Sequence, residues 1–432
     1  MTKSMRYMAV VVFIVVALFA SYALACGDGD VTAIQQCIGE EMQDGIDNGE
    51  FCSASVAVYK DGEFICSEGF GMADREKLIA ADHHTVFNIG SVSKMFCASA
   101  IMILVDDGKL SLDDTVAGYL RDFTMKDPRY KDITVRMLLN HTSGLAGSTY
   151  LNSFGYEING DYRTMFMANM ARSTLRHEPG ELAAYCNDGF TLAQYLVEEV
   201  SGMSYMDFLQ SRILEPLGMK DTGESVGADA LDRTIAVSYM KDSDEHYPNE
   251  AVTILGAGGL ASTAEDLCRL GSVFFKDSGI ILSEQAREEM LREQPGFGTI
   301  QTRRQPDTYG LGWDSVSYPA YEEQGVKVLS KNGATGNYMS QLYVLPDEKI
   351  VVAMIAAGDS ANLGKRPMRI LNTVLGTYGL YHEPETTSAP LAEATAIPDE
   401  YAAYSGFYQG RNDTYYVDFQ YDDGLALIYN YQ

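Results

Sequence analysis

Between Val92 and Val105 nearly every position is apolar, on all sides of a helical wheel. A helix without a polar face belongs inside a protein rather than on its surface. Gly90 supplies a turn before it, and Asp106-Asp107-Gly108 supplies a stop. Further upstream, Ala54 to Tyr59 and Glu63 to Ser67 are strand-like runs around Asp61-Gly62, which predicts a β-hairpin. A second hairpin is predicted where Met339 to Leu345 and Ile350 to Ala356 flank Pro346-Asp347-Glu348-Lys349, followed by a helix over Arg366 to Leu375.

Between the hairpins the period changes. Leu112 to about Lys220 reads as mostly helical. Thr134 to Leu139 is broken by His141-Thr142-Ser143-Gly144-Leu145, Thr191 to Val200 ends at Ser201-Gly202, and Tyr205 to Leu214 precedes Pro216. After the Gly256 to Gly259 cluster, Ser262-Thr263-Ala264-Glu265 has the form of a capping box. Strands at both ends with helices between them predict an α+β fold, an antiparallel β-sheet flanked by helices with an inserted all-helical subdomain.

The ends of the chain read differently. Lys3 and Arg6 precede an apolar run from Met8 to Leu24, and Ala23-Leu24-Ala25 offers small residues for cleavage. This is the layout of a secretory signal peptide over residues 1–25. Cys26 follows at once, as in an imperfect lipobox, so the expected product is exported and either released or lipid-anchored at Cys26, or else held by an uncleaved anchor. Residues 26–380 then form the main domain. The next stretch, 381–400, is rich in Pro, Thr, Ala and Glu without a period, and reads as a linker. Residues 401–432 are a short Tyr-rich β segment, too few strands to enclose a core of their own.

Charge narrows the partners. Acidic residues number 60 against 32 basic ones, a net charge of −28, which argues against nucleic acid and anionic membrane surfaces. The expected partner is a small-molecule or peptide substrate, with membrane contact only through the N-terminal segment or a lipidated Cys26. The seven cysteines show no paired framework, and there is neither Cys-x-x-Cys nor His-Glu-x-x-His, so no metal or other cofactor is expected. Most of the cysteines read as small buried residues.

The candidate chemistry sits at the start of the apolar helix. Ser91 and Lys94 are three residues apart and share one helix face, so hydroxyl and amine are neighbours, an arrangement that can activate a serine. Ser238 and Lys241 repeat the spacing without a buried helix after them. The six histidines include none in a Gly-x-Ser-x-Gly context, which leaves Lys and Tyr to serve as bases. Tyr185-Cys186-Asn187 lies between a turn and a helix, and Lys331-Asn332-Gly333 leads into the late hairpin, where it can line a sheet edge.

In this order, Ser-x-x-Lys, Tyr-x-Asn and Lys-x-Gly resemble the three signatures of the serine β-lactamase and penicillin-binding protein superfamily. The resemblance is greatest to class C β-lactamases, D-alanyl-D-alanine carboxypeptidases and β-lactamase-like esterases. It extends to Phe87–Lys94, Leu138–Leu145, Pro216–Met219, Ala257–Leu260 and Tyr309–Trp313, and covers roughly residues 50 to 375. It implies an acyl-enzyme on Ser91, with Lys94 beside it and Tyr185 as proton shuttle coupled to Lys94. Unperturbed Lys and Tyr both titrate near 10, so either serves as base only with a depressed pKa. It further implies that Asn187 orients the substrate, that Lys331 and Gly333 line its binding edge, and that the backbone N–H groups of Ser91 and Ala334 form an oxyanion hole. In the third motif Asn332 replaces the usual Thr, which counts against β-lactam turnover more than against hydrolysis. Lys331 is expected to offer a positive charge to an anionic substrate end. The resulting expectation is an exported serine hydrolase of an ester or amide, with D-amino-acid peptides and β-lactams among the candidates. The alternative is an acylatable penicillin-binding or sensor protein with little turnover.

Overall fold

The computed structural model describes residues 30–149, 151–156, 161–225, 233–294 and 308–382, and the backbone of three strands beyond 400. The expected signal segment, Cys26 and residues 383–400 of the expected linker lie outside the described residues. The chain divides into two compact units, one reaching His382 and the other starting at Glu383. In the second unit, Gly406–Gln409, Thr414–Asp418 and Leu427–Tyr431 pair antiparallel in sequence order.

In the first unit helix α1 (Asp30–Asp47) is followed by strands β1 (Ser53–Lys60), β2 (Glu63–Asp74) and the short β3 (Ile79–Ala80). Helix α2 (Ser93–Asp106) is the apolar helix. The helices of the middle region that matter for the site are α3 (Val135–Leu139), α4 (Asn187–Ser201) and α5 (Ala264–Ser272). The chain then returns to the sheet as β4 (Leu329–Ala334), β5 (Tyr338–Leu345) and β6 (Ile350–Ala357), and α6 (Arg366–Thr377) completes the unit. The sheet order is β3-β2-β1-β6-β5-β4, antiparallel throughout. β1 and β6, from opposite ends of the sequence, pair at its centre over eight residues, Ser53 with Ala357 through Lys60 with Ile350.

Alternation along these central strands explains the two layers. Ile350, Val352, Met354 and Ala356 face one core with Ile34, Ile38 and Met42 of α1 and Ile370, Leu371 and Val374 of α6. Val351, Ala353, Ile355 and Ala357 face the other, which contains α2, α4 and α5. A strand buried on both faces reads as one apolar run, which is why Ile350–Ala357 carries no polar position. Burying a Leu, Ile or Met side chain contributes about 1.5–3 kcal/mol each, so this double-sided core fixes the register of β4 at the sheet edge.

The α+β expectation holds, and three details of it change. The middle region is less helical than expected: 171–186 is turns and irregular chain, and Phe154–Gly155 pairs with Ala251–Val252 as a small sheet. Stretches rich in Gly, Ser and Asn satisfy backbone groups through loop hydrogen bonds, such as Arg176 N–H to Gly144 O and Gly180 N–H to Thr142 O at 2.8 Å each. The capping box is one residue later than read, because Thr263 caps α5 and accepts from Asp266 N–H. Finally, Tyr381 is buried and its ring lies 4.8 Å from that of Tyr321, so the first residue assigned to the linker belongs to the packed unit. Cys66, Cys97, Cys186 and Cys268 are buried thiols.

Candidate active site

Gly90–Val92 form a single 3₁₀ turn that runs directly into α2. Gly90 has φ +49°, and a Cβ there would stand 2.6 Å from Ala334 N, so only glycine lets the turn lie against the edge strand. Ser93 anchors the turn: its hydroxyl donates to Gly90 O at 2.7 Å and accepts from Leu260 N–H at 3.1 Å. Ser91 is half-buried, whereas every residue from Ser93 to Leu104 is buried. The hydroxyl therefore stands at the mouth of a core helix.

Lys94 is fully buried one turn further in. Its Nζ lies 3.0 Å from Ser91 Oγ, 2.7 Å from Asn187 Oδ1 and 2.5 Å from Ala257 O. Burial, followed by the nearby Lys331 charge, pushes the Lys94 pKa well below its ordinary value and favours the neutral amine. A neutral amine has two N–H donors and one lone pair. The Asn187 and Ala257 oxygens can only accept, so they take the two donors and leave the lone pair for the Ser91 hydroxyl.

Asn187 is the first residue of α4, and Cys186 caps that helix, its Sγ accepting from Gly189 N–H at 3.4 Å and donating to Gly147 O at 3.3 Å. While its Oδ1 holds Lys94, Asn187 donates through Nδ2 to Ser148 Oγ at 2.8 Å. The loop bearing Ser148 is fixed in turn by Asp188, which accepts from Thr149 N–H at 2.7 Å. Tyr185 is 40% exposed, with Lys94 Nζ at 4.9 Å and Lys331 Nζ at 5.5 Å from its ring centroid. Its inner side lies against buried His141, ring centroids 4.5 Å apart.

The far wall is β4. Lys331 is fully buried, its Nζ bonded to both Asp314 oxygens at 2.8 and 2.7 Å and to Asn332 O at 2.7 Å. This corrects the expectation that Lys331 offers its charge to an anionic substrate end. Three acceptor oxygens meet its three N–H donors, and a carboxylate neutralises the charge. Gly333 pairs with Ser340, and a Cβ on it would come within 2.1 Å of Ile89 O and 2.9 Å of Ser91 N. Gly333→Ala is accordingly expected to push β4 away from the Ser91 turn and lower kcat by about 10²-fold or more, as measured by ester hydrolysis. A kcat within threefold of wild type would contradict this packing. Ala334, next along the edge, carries the N–H that a Gly90 Cβ would meet.

The structure thus brings Ser91, Lys94, Tyr185, Asn187, Lys331, Gly333 and Ala334 into one cleft between α2, the start of α4 and β4. Ser238 and Lys241 lie apart from it, on the segment where Tyr239 bridges His246. Sequence reasoning missed the Ala257 carbonyl, Ser148, Asp314 and His141. Three of them were visible only through quoted stretches, Ala257 and His141 inside Ala257–Leu260 and Leu138–Leu145 and Asp314 directly after Tyr309–Trp313.

Comparison with known proteins adds to the geometry. The family model described as Beta-lactamase matches residues 34–375. "Penicillin-binding protein 4" of Amycolatopsis lactamdurans is 27% identical over 82% of this chain and 92% of its own length. Among solved structures, SurE superposes with a TM-score of 0.70 at 26% identity, covering 93% of this chain and 88% of its own. The D-amino acid amidase from Ochrobactrum anthropi SV3 superposes with a TM-score of 0.65 at 22% identity, covering 80% of this chain and 99% of its own, a likeness of fold.

Proposed function

Because this chain belongs to the Beta-lactamase family, and so to the serine hydrolases, we propose that it hydrolyses a neutral ester or amide through an acyl-enzyme on Ser91. The observation that carries this reading is the Lys94 amine, whose two N–H donors are met by Asn187 Oδ1 and Ala257 O while Ser91 Oγ stands 3.0 Å away. Lys94 takes the Ser91 proton as Oγ bonds to the carbonyl carbon. The carbonyl oxygen becomes an oxyanion facing the N–H groups of Ser91 and Ala334, a contribution of about 3 kcal/mol per donor in comparable sites. Collapse breaks the bond to the leaving group, which departs with a proton passed from Lys94 through Tyr185. Water then attacks the acyl carbon by the reverse route and returns Ser91.

The neutral character of the substrate follows from Lys331. With its donors on Asp314 and Asn332 O, and with Asn332 in place of a hydroxyl residue, this edge has little to balance a substrate carboxylate. Between two esters whose leaving groups carry a free carboxylate or its methyl ester, kcat/KM is expected to favour the methyl ester by about tenfold or more. Equal values, or a preference for the acid, would contradict the assignment. Relatives named as penicillin-binding proteins and an amidase with this fold support acyl transfer in general. Export, with release or a lipid on Cys26, is part of the same proposal.

The reaction is tested with p-nitrophenyl acetate and an aryl amide under multiple-turnover conditions. Sustained product release supports the hydrolase. A single burst followed by a stable adduct would instead indicate an acylatable sensor, and no product from any ester or amide would remove both readings.

A further inference from the structure

We propose that His141 is a positioning residue for this reaction, an uncharged imidazole that holds the Tyr185-Cys186-Asn187 turn against Lys94. The inference rests on the acyl-enzyme reading above and adds a residue to it. His141 contacts the turn on both sides of Tyr185. Its backbone oxygen accepts from Ala184 N–H at 2.9 Å, and its Nδ1 accepts from Cys186 N–H at 3.0 Å. Its ring lies against Tyr185, with centroids 4.5 Å apart and planes 31° from parallel, and is backed by Phe190 at 5.3 Å and Tyr309 at 4.9 Å. Tyr185 is half open to solvent, so the imidazole supplies packing for its inner face.

Two costs show that this histidine does more than fill space. The residue has φ +64°, in the left-handed region that few non-glycine residues adopt, His, Asn and Asp more readily than the rest. Because Nδ1 accepts a hydrogen bond, the proton of the neutral ring sits on Nε2, and Nε2 is buried without a hydrogen-bond partner among the described residues. An apolar side chain of similar size would avoid the unsatisfied N–H, but it could not accept from Cys186. Burial keeps the ring neutral, helped by Lys94 on α2 whenever that amine is protonated and by the Lys331 cation on β4. A cation there would stand beside both lysines and oppose any positive charge gained by Lys94 during proton transfer. Through Cys186 the bond reaches the next residue, Asn187, whose Oδ1 orients the Lys94 amine.

The test compares His141→Asn with His141→Leu in the full chain. The Asn Oδ1 can take the place of Nδ1, and Leu has similar bulk without an acceptor. His141→Asn is expected to keep kcat within about tenfold of wild type, and His141→Leu to lower kcat about 100-fold with KM within threefold. Both are assayed well below their melting transitions, because Leu is strained at a positive φ and lowers that of its variant. Equal losses in both variants, a His141→Leu loss that disappears on cooling further below its melting transition, or full kcat in His141→Leu would each overturn the positioning role. Wild-type protein that forms no adduct at Ser91 would overturn the acyl-enzyme reading instead, and the two failures are distinguishable.

Discussion

Replacing Lys94 with Met is expected to lower kcat/KM by about 10²–10⁴-fold, the usual worth of a positioned general base. Met preserves the length and apolar stem of the side chain, so the loss reports the amine rather than a cavity. The same variant carries the pH signature. Lys94 has a depressed pKa, first from burial and then from Lys331. Below that pKa the amine binds a proton and has no lone pair for Ser91. Wild-type kcat/KM should therefore rise with pH through the depressed Lys94 value and level above it. In Lys94→Met the residual rate should lack this limb. An unchanged limb would assign the base to another group, with Tyr185 the first alternative. Full burial of Lys94 against half-burial of Ser91 gives the expectation its direction, since the amine cannot remain charged there without an anion of its own.

Asp314→Asn should be the most damaging change for stability. Lys331 is fully buried, and the Asp314 carboxylate holds it with two bonds at 2.8 and 2.7 Å. Removing one partner of a buried pair leaves an uncompensated charge, a cost of about 3–5 kcal/mol, whereas replacing both is often close to neutral. Urea unfolding of Asp314→Asn should show a loss of that order. The double variant Asp314→Asn/Lys331→Met should recover most of it. Activity should not return, because the Asp314 carboxylate also accepts from Asn332 N–H at 3.0 Å and so steadies the edge beside Ala334. A double variant no more stable than Asp314→Asn would show that the pair does not act as a unit.

These two residues mark what the sequence could and could not disclose. Ser91 and Lys94 were readable because their placement is local: the 3₁₀ turn that runs into α2 sets their spacing, and the unbroken apolar run of α2 buries Lys94 and leaves Ser91 at its mouth. The hairpins were readable from alternation around Asp61-Gly62 and Pro346–Lys349. The partners of Lys94 were not, because Asn187 and Ala257 lie 93 and 163 residues away, and a backbone carbonyl leaves no trace in residue identity. Lys331 was misread as an open cation for a related reason: its neutraliser, 17 residues upstream, faces it only once the Trp313 segment folds beside β4. The helical reading of the middle region failed where tertiary hydrogen bonds, rather than periodic packing, hold the chain, and there the loops from 141 to 149 and from 176 to 186 brace each other. His141 sits at that junction, in a motif that sequence alone marks as a helix breaker.

The central claim is that Ser91 becomes covalently acylated during turnover. Acid-quench the protein while it hydrolyses a slow p-nitrophenyl ester, measure its intact mass, and map the peptide that carries the added acyl group. The account predicts one acyl increment, located at Ser91, that decays once substrate is exhausted, and neither adduct nor hydrolysis in Ser91→Ala. Hydrolysis that persists in Ser91→Ala, or an adduct located on another residue, would contradict it.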